Sequence, residues 1–335
     1  MKWLNEFLMS YLLHKEEKHA QTKAKNGDYE AAAAHYNAIA EIWRNMGFVS
    51  DNIAKSQSVF ETASRYDSIS EFFRGKADLG ITERLASFTP MPEKPSLTFD
   101  DIHGMRAQKR KVRDDILQSI ETFRTLLVYG PDGVGKTMLA KVMAASLGRE
   151  YIDATSMVYD VRNQTALLQS APDRSVVHIR MFDRINPSET FLKEIDRINN
   201  EGETIVIATT SRPWDIPLNA LPYFMRKLYI PLPDRDERKI MIKETLRELR
   251  QDSLIETIAD RTDGLGYHEL LMMCLEAART MAKQMNPGTD FNRKGFEGIF
   301  LNSRDIEVED FTFMSPNTPP EDMIKFYGFQ QENGG

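Results

Sequence analysis

Apolar positions near the start of the chain recur at helical spacing. Trp3, Phe7 and Tyr11 belong to one apolar stripe, and charged residues from Lys15 onward continue the same helix. In the next stretch, "GDYEAAAAHYNAIAEIW", Gly27 ends the first helix, Asp28 is the N-cap of a second, and a second apolar stripe follows. A third helical pattern follows it, over residues 51–73. Together these patterns predict a three-helix bundle at 1–80.

Proline residues separate this bundle from the rest of the chain. Pro90, Pro92 and Pro95 lie within the segment "SFTPMPEKPSLTF". Neither a helix nor a central strand continues through such a segment, because proline lacks a backbone donor and fixes its own φ. We therefore predict a linker over residues 81–97.

Short apolar runs alternate with helical patterns after the linker. The predicted strands are "TLLVYG", "EYIDAT", "SVVHIRMF", "TIVIATT" and "KLYIPL". Strands that alternate with helices favour a parallel sheet covered on both faces. Beyond Pro233 the pattern is helical again. We predict an α/β domain at 98–233, followed at 234–335 by a helical lid domain and a C-terminal helix.

Composition and charge narrow the class of protein. A length of 335 residues with 41% hydrophobic and 28% charged residues is typical of a soluble, folded chain of two or three domains. The net charge of -7 and the lack of a long basic stripe argue against a nucleic-acid partner. The basic run "AQKRKVRDD" is flanked by acids, and we interpret it as a solvated helix face.

Cysteine content and hydropathy indicate the compartment. The single cysteine, Cys274, forms no internal disulfide, which favours a reducing environment and a role in core packing. No apolar run is long enough to predict a transmembrane segment. The opening "MKWLNEFLMSYLL" is interrupted by Asn5 and Glu6 and lacks the pattern of a signal peptide. We expect a cytoplasmic protein.

The strongest chemical motif is "GPDGVGKT", which satisfies the G-x-x-x-x-G-K-[ST] pattern between a predicted strand and a predicted helix. Glycines allow backbone N–H groups to surround phosphate oxygens, and the helix N-terminus adds its positive dipole end. Lys136 is predicted to reach the β and γ phosphates, and Thr137 to bind Mg²⁺. We therefore predict that ATP or ADP binds here, with Mg²⁺ accompanying ATP. The predicted phosphate-binding residues are Gly130, Pro131, Asp132, Gly133, Val134, Gly135, Lys136, Thr137 and Met138.

From these motifs the chain resembles the α/β P-loop NTPases of the AAA ATPase family, in the meiotic clade with katanin, spastin and the vacuolar-sorting ATPases. "LTFDDIHG" is similar to the segment that the family places against adenine, which implies base contacts from Asp101, Ile102 and His103. "TTSRPWDI", "YIPLPDRDER" and "VEDFTFMSPNTPPEDMIKFYGF" resemble the sensor strand, the exit toward the lid and the C-terminal helix. Tyr267 and His268 replace small lid residues beside adenine, so a narrower base pocket is expected.

The N-terminal stretch "NGDYEAAAAHYNAI" resembles the microtubule-interacting-and-trafficking (MIT) module of the vacuolar-sorting members. A tetratricopeptide hairpin is the alternative, but it needs repeats and the chain shows no second copy. The MIT resemblance implies protein partners that bind as short helical segments between the helices of the module.

The chain departs from the family where hydrolysis needs acids. The Asp-Glu pair that ends the family's third strand corresponds to Arg180 and Met181, and neither side chain ligates a hard cation or accepts a proton. An alternative register makes Asp183 the magnesium carboxylate, but it places Arg180 inside the strand. The sensor asparagine corresponds to Ser211, whose hydroxyl has a shorter reach.

Residues that act between subunits differ as well. The family's paired arginine fingers correspond to Pro222 and Tyr223, and Arg226 matches a different position. Loss of an arginine finger alone slows hydrolysis by orders of magnitude. Between Thr155 and Pro172 the aromatic-glycine pore loop of the family is missing.

Two functions follow as hypotheses. The first is a hydrolysis-deficient AAA protein, a pseudo-ATPase in which nucleotide gates the binding of partners, linked to membrane-remodelling filaments and assembled with itself or with an active homologue. The second is an active hexameric ATPase that disassembles ESCRT-type filaments, which would require Glu194 or Asp196 to reach the site. A small-molecule kinase or a GTPase fits less well, because the chain lacks an Asn-Lys-x-Asp guanine motif.

Overall fold

The computed structural model describes residues 13, 15–17, 19–20, 22–24, 28–49, 63, 66–67, 70, 95, 97–102, 104–120, 122–154, 161–246, 252–287 and 304–334. The chain divides into two compact units. The first, here called the helical unit, comprises residues 1–84 and 275–312, and the second, the α/β unit, comprises 85–274 and 313–335. The domain boundaries drawn from the sequence stay predictions.

The helical unit contains a long alanine-rich helix, α1, at Tyr29–Val49. Asp28 caps it, because the Asp28 carboxylate accepts a hydrogen bond from the Ala31 amide at 3.3 Å. Small side chains on one face of α1 are buried, and the Ser70 hydroxyl donates to the Ala33 carbonyl at 2.9 Å. The predicted stripe from Trp3 to Tyr11 lies outside the described residues.

The α/β unit is built on a five-stranded parallel sheet with the order β2-β3-β4-β1-β5. The parallel sheet expected from the alternation of strands and helices is thereby confirmed. Its central strands are buried throughout, which explains why they read as continuous apolar runs. The strands are β1 Thr125–Tyr129, β2 Glu150–Asp153, β3 Ser175–Arg180, β4 Ile205–Thr210 and β5 Arg226–Tyr229.

Helices connect and cover these strands, and 3-10 turns shape the loops at the strand ends. The helix at Arg106–Lys111, α2, continues through a π-helical turn at Val112–Ile116 and a last turn at Leu117–Ser119. The remaining helices are α3 Lys136–Ser146, α4 Val161–Ser170, α5 Glu189–Glu201, α6 Arg235–Thr245, α7 Asp252–Asp260, α8 Tyr267–Met285 and α9 Pro320–Asn333. The 3-10 turns are Phe99–Asp101, Phe182–Arg184, Pro213–Asp215, Leu221–Tyr223 and Val308–Asp310.

The C-terminal helix α9 packs onto the sheet core of the α/β unit. Phe326 and Phe329 are buried in the same apolar cluster as the strands. The Phe326 ring meets the Trp214 ring edge-on at 5.0 Å, and the Tyr129 hydroxyl donates to the Gly334 carbonyl at 3.0 Å. Helix α9 is therefore part of this core. In the part of the chain that the structure describes, no helix has both the length and the apolarity to cross a bilayer.

Candidate nucleotide site

The predicted phosphate loop lies between β1 and α3, where the sequence placed it. Gly130, Gly133 and Gly135 adopt positive φ angles of 151°, 75° and 87°. Side chains are strained in such conformations, and a Cβ on Gly130 would lie 2.0 Å from the Ile230 carbonyl oxygen. The loop therefore requires these glycines in order to turn back over the end of β1.

Lys136, at the start of α3, folds over this loop. Its ammonium donates to the Gly130 carbonyl at 2.7 Å and to the Pro131 carbonyl at 2.6 Å. Burial lowers the pKa of Lys136 to about 8, while the carboxylates of Asp132, Asp183 and Glu269 act in the opposite direction. The Lys136 ammonium thus lies at the phosphate loop. There an anionic ligand would compete with the two neutral carbonyls as the acceptor of its hydrogen bonds.

The segment that precedes α2 lies against the same loop. Met105 is buried, and its terminal methyl group would be 2.9 Å from a Cβ on Gly135. Of the residues predicted to contact adenine, Ile102 is buried and accepts a hydrogen bond from Lys109 at 2.7 Å. Asp101 is exposed, and its carboxylate caps the Phe99–Asp101 turn by accepting from the Thr98 amide at 2.7 Å. His103 lies outside the described residues.

Tyr267, the first residue of α8, ties three segments together. Its hydroxyl accepts a hydrogen bond from the Met105 amide at 3.0 Å and donates to the Glu237 carboxylate at 2.7 Å. Burial, together with the bond to Glu237, raises the pKa of Tyr267 far above its ordinary value, so the hydroxyl stays a donor. A Cβ on Gly104 would lie 2.3 Å from the Tyr267 ring. The aromatic ring therefore fills the space beside the segment predicted to contact the base.

The next two residues of α8 contact the phosphate loop directly. The His268 amide donates to the Gly133 carbonyl at 2.9 Å. Glu269 is buried, and its Oε1 accepts from the Asn317 side chain at 2.9 Å. Its Oε2 is buried without a hydrogen-bond partner among the described residues and would lie 2.3 Å from a Cβ on Gly133. Helix α8 thus presents a carboxylate to the phosphate loop.

Arg180 occupies the last position of β3, opposite Thr209 of β4. Its guanidinium lies 3.7 Å from the Asp153 carboxylate at the end of β2, and both side chains are partly exposed. Met181 follows with a φ of 51°, in the left-handed region, and breaks the strand. A cation and a thioether therefore stand where the sequence comparison with the family expected two acids.

Asp183 lies beyond the strand, in the turn Phe182–Arg184, and its side chain is 6% exposed. The Thr210 hydroxyl donates to its Oδ1 at 2.5 Å, and the Arg212 amide donates to the Thr210 hydroxyl at 2.9 Å. Asp183 thus fixes the loop at the end of β4, within electrostatic range of Lys136. Ser211 follows β4 directly and is half-buried. Whether either residue serves a nucleotide stays a prediction of the sequence.

The positions compared with arginine fingers hold no guanidinium. Pro222 and Tyr223 form the turn Leu221–Tyr223, and the Tyr223 carbonyl accepts from the Thr125 hydroxyl at 2.7 Å. Arg226 begins β5, where its guanidinium covers the Phe123 ring at 4.8 Å and lies 3.4 Å from Asp115. That guanidinium is held within its own unit.

Helix α5 carries Glu194 and Asp196, one of which the active-enzyme hypothesis would need at the site. Glu194 is buried and pairs with Arg197 at 2.7 Å, and its other oxygen accepts from Gln169 at 3.4 Å. Asp196 is exposed on the same helix. The hydrogen bond from Gln169 therefore joins α5 to α4, whereas the pair with Arg197 lies within α5.

The residues present fit a phosphate chain better than a metal ion. Three positive-φ glycines, the amides of the loop and Lys136 form an anion cradle at the N-terminus of α3. For Mg²⁺, the half-buried Thr137 is the predicted hydroxyl ligand, but Arg180 takes the place of a strand-end carboxylate. Among the described residues, no group of three His, Cys, Asp or Glu side chains is placed to hold a metal ion.

A parallel sheet with a glycine-rich phosphate loop after its first strand defines a P-loop α/β domain. The profile of the family described as "ATPase family associated with various cellular activities (AAA)" matches residues 126–232. This stretch of the chain is therefore similar to the AAA family.

Several curated proteins are similar to this chain in sequence. The chain is 28% identical over 266 residues to a cell division cycle protein 48 homolog of Archaeoglobus fulgidus, covering 68% of this chain and 36% of that protein. It is 28% identical to spastin of Gallus gallus, covering 65% and 41% of the two chains, and 26% identical to fidgetin of Mus musculus, covering 59% and 31%. The chain thus spans about a third to two fifths of the length of these relatives.

Solved structures share the fold. The AAA domain of FIGL-1 in complex with ADP superposes with a TM-score of 0.59 at 20% identity, covering 76% of this chain and 99% of that one. A structure described as the structural basis for katanin self-assembly gives a TM-score of 0.53 at 22% identity, covering 70% and 91%. Both likenesses concern the fold.

Sequence reasoning missed Glu269 and Glu237. Neither belongs to a recognisable motif, and both act through partners far away in the chain, at Gly133 and at Met105 by way of Tyr267. The only local signal was the pair of glycines in "GLGYHEL", which marks a close backbone approach just before α8.

Proposed function

We propose that this protein binds ATP or ADP at the phosphate loop and hydrolyses it little or not at all. The observation that carries the proposal is the contrast between two strand ends. The loop after β1 keeps its glycines and Lys136, whereas β3 ends in Arg180 paired with Asp153. Phosphate binding needs the first set, and hydrolysis needs carboxylates at the second. A related fold, the FIGL-1 AAA domain, was solved with ADP, which supports the same ligand here.

Nucleotide occupancy would then control binding rather than chemistry. The lid contacts the phosphate loop through His268 and Glu269, so a ligand that enters the loop changes the contacts available to α8. We propose that the N-terminal MIT-like module recruits a protein partner, in keeping with the resemblance to vacuolar-sorting ATPases and membrane-remodelling filament machinery. The cytoplasm is the proposed compartment.

Assembly with other AAA proteins is part of the proposal. Self-assembly is the subject of the katanin structure that shares this fold. We propose that Pro222 and Tyr223 stand in place of arginine fingers and leave this chain unable to complete a neighbour's site. In a mixed ring with an active homologue, it would play a regulatory role. Native mass measurement with and without nucleotide separates a monomer from a ring.

The central test is binding measured together with turnover. Titration calorimetry with ATP should give binding to the wild type, loss of binding in Lys136→Ala, and unchanged binding in the control Lys193→Ala, which removes an exposed lysine of α5. Steady-state phosphate release should stay near background for all three proteins. Mg²⁺-dependent turnover that disappears in Lys136→Ala would favour the active hexameric ATPase instead.

A further inference from the structure

Glu269 is unusual because it is a buried carboxylate with one oxygen left unpaired. The side chain is more than nine-tenths buried, at 8% exposure. Asn317 satisfies Oε1 at 2.9 Å, and Oε2 has no hydrogen-bond partner in the described part of the chain. A buried acceptor without a hydrogen bond costs free energy, so the presence of Oε2 at this place needs an explanation from its surroundings.

What lies next to Oε2 is the phosphate loop. The oxygen would be 2.3 Å from a Cβ on Gly133 and 2.6 Å from one on Gly266, so it is enclosed between two backbones that lack side chains. Gly266 also packs against the loop, because a Cβ there would lie 3.0 Å from the Asp132 carbonyl. The carboxylate therefore faces the loop at close range, with no side chain of Gly133 to screen it.

The charges around the phosphate loop determine how the Glu269 carboxylate would act on a bound anion. Three carboxylates, Asp132, Asp183 and Glu269, act on one ammonium, that of Lys136. Of the three, Asp132 is exposed to water, and Asp183 lies 3.9 Å from the Arg184 guanidinium and accepts a hydrogen bond from the Thr210 hydroxyl. Glu269 is both buried and unpaired at Oε2, so its charge is the least screened toward a bound anion.

We propose that Glu269 is a specificity-determining residue of the phosphate loop, which weakens the binding of phosphate chains in proportion to their negative charge. Metal-free ATP is disfavoured most, whereas ADP and Mg²⁺-neutralised ATP are tolerated better. The inference rests on the proposed function, because it assumes that nucleotide phosphates enter this loop.

The test compares three ligands on matched variants. Glu269→Gln keeps the shape and the Asn317 contact but removes the charge, and Glu201→Gln makes the same change at the exposed end of α5. We expect Glu269→Gln to bind metal-free ATP about tenfold more tightly than the wild type, with a smaller gain for ADP and none for adenosine. Glu201→Gln should match the wild type for every ligand.

Several outcomes would overturn the inference. An unchanged affinity for ATP, or an equal gain for ATP and adenosine, would mean that the charge of Glu269 does not select phosphate. Glu269→Ala provides the same charge change if the Gln variant fails to fold. Failure of every protein to bind any nucleotide would overturn the proposed function itself, whereas ATP binding by the wild type with no change in the variants would overturn only the role of Glu269.

Discussion

The ring of Tyr267 lies so close to Gly104 that a single methyl group does not fit between them. A Cβ on Gly104 would be 2.3 Å from the ring, and the residue has a φ of 68°. The ring cannot move away freely, because its hydroxyl is bonded to the Met105 amide and to Glu237. The contact joins the start of α8 to the segment before α2.

Gly104→Ala is therefore expected to destabilise the α/β unit. The added methyl group meets both the left-handed backbone and the held ring, and we expect a loss of about 2–4 kcal/mol in the free energy of unfolding. Gly328→Ala is the matched control, since its added Cβ in α9 would meet no atom of the described residues within 4 Å, apart from the adjacent residues and the backbone of that helix. The control should be neutral or gain up to about 1 kcal/mol. Urea unfolding measures both changes, and equal effects would contradict the packing described here.

Phe326→Ala tests the anchoring of the C-terminal helix. Phe326 is 1% exposed and packs against Trp214 and Tyr229, so truncation leaves a cavity and should cost about 3–5 kcal/mol. Ile324, two residues earlier, is 72% exposed, and Ile324→Ala should change stability by less than about 0.5 kcal/mol. A similar cost for both variants would show that α9 is not anchored through Phe326.

We expect buried His178 to make the free energy of unfolding depend on pH. It is buried in β3, with Nδ1 2.6 Å from the Tyr151 hydroxyl and Nε2 3.0 Å from the Thr209 hydroxyl. Burial lowers its pKa from 6.5 to about 3, so the unfolded chain binds a proton between these values and the folded chain does not. The stability that depends on neutral His178 is present above pH 6.5 and is lost as the pH falls toward 3.

The slope of this loss is at most about 1.4 kcal/mol per pH unit. Urea unfolding at about pH 7, 6 and 5 measures it, and a His178→Phe variant should lack this component while keeping the contribution of carboxylates. If both proteins lose stability with the same slope, His178 is not the group that is responsible.

Replacing Arg180 with Asp and Met181 with Glu tests the strand end of β3. Without metal, the new acid at 180 faces Asp153, the present partner of Arg180, so the double variant should unfold at a lower temperature. Mg²⁺ should raise that temperature in the presence of ATP, because a hard cation gains carboxylate ligands. Turnover should recover little, since Pro222 and Tyr223 supply no guanidinium. Wild-type protein is the control. Rapid ATP hydrolysis by the double variant would show that arginine fingers are not needed for turnover.

The local patterns in the chain predicted much of this architecture. Strand runs such as "TLLVYG" and the glycine spacing of "GPDGVGKT" depend on neighbouring residues only, because side-chain burial on both faces and positive φ angles are local requirements. The α/β fold and the place of the phosphate loop after β1 followed from them. That Arg180 and Met181 replace two catalytic acids stays a prediction, drawn from the resemblance to the family.

Contacts between distant segments required the folded chain. Tyr267 forms a hydrogen bond with Met105, which is 162 positions away in the chain. Glu269 faces Gly133, although no sequence motif predicts that contact. Arg180 pairs with Asp153 because β2 and β3 are neighbours in the sheet, and the order of strands is a property of the whole domain. Local pattern thus determined which elements form and where the phosphate loop lies. Packing between elements decided which charges surround that loop, because the electrostatics of a buried site depend on distances that only the fold sets.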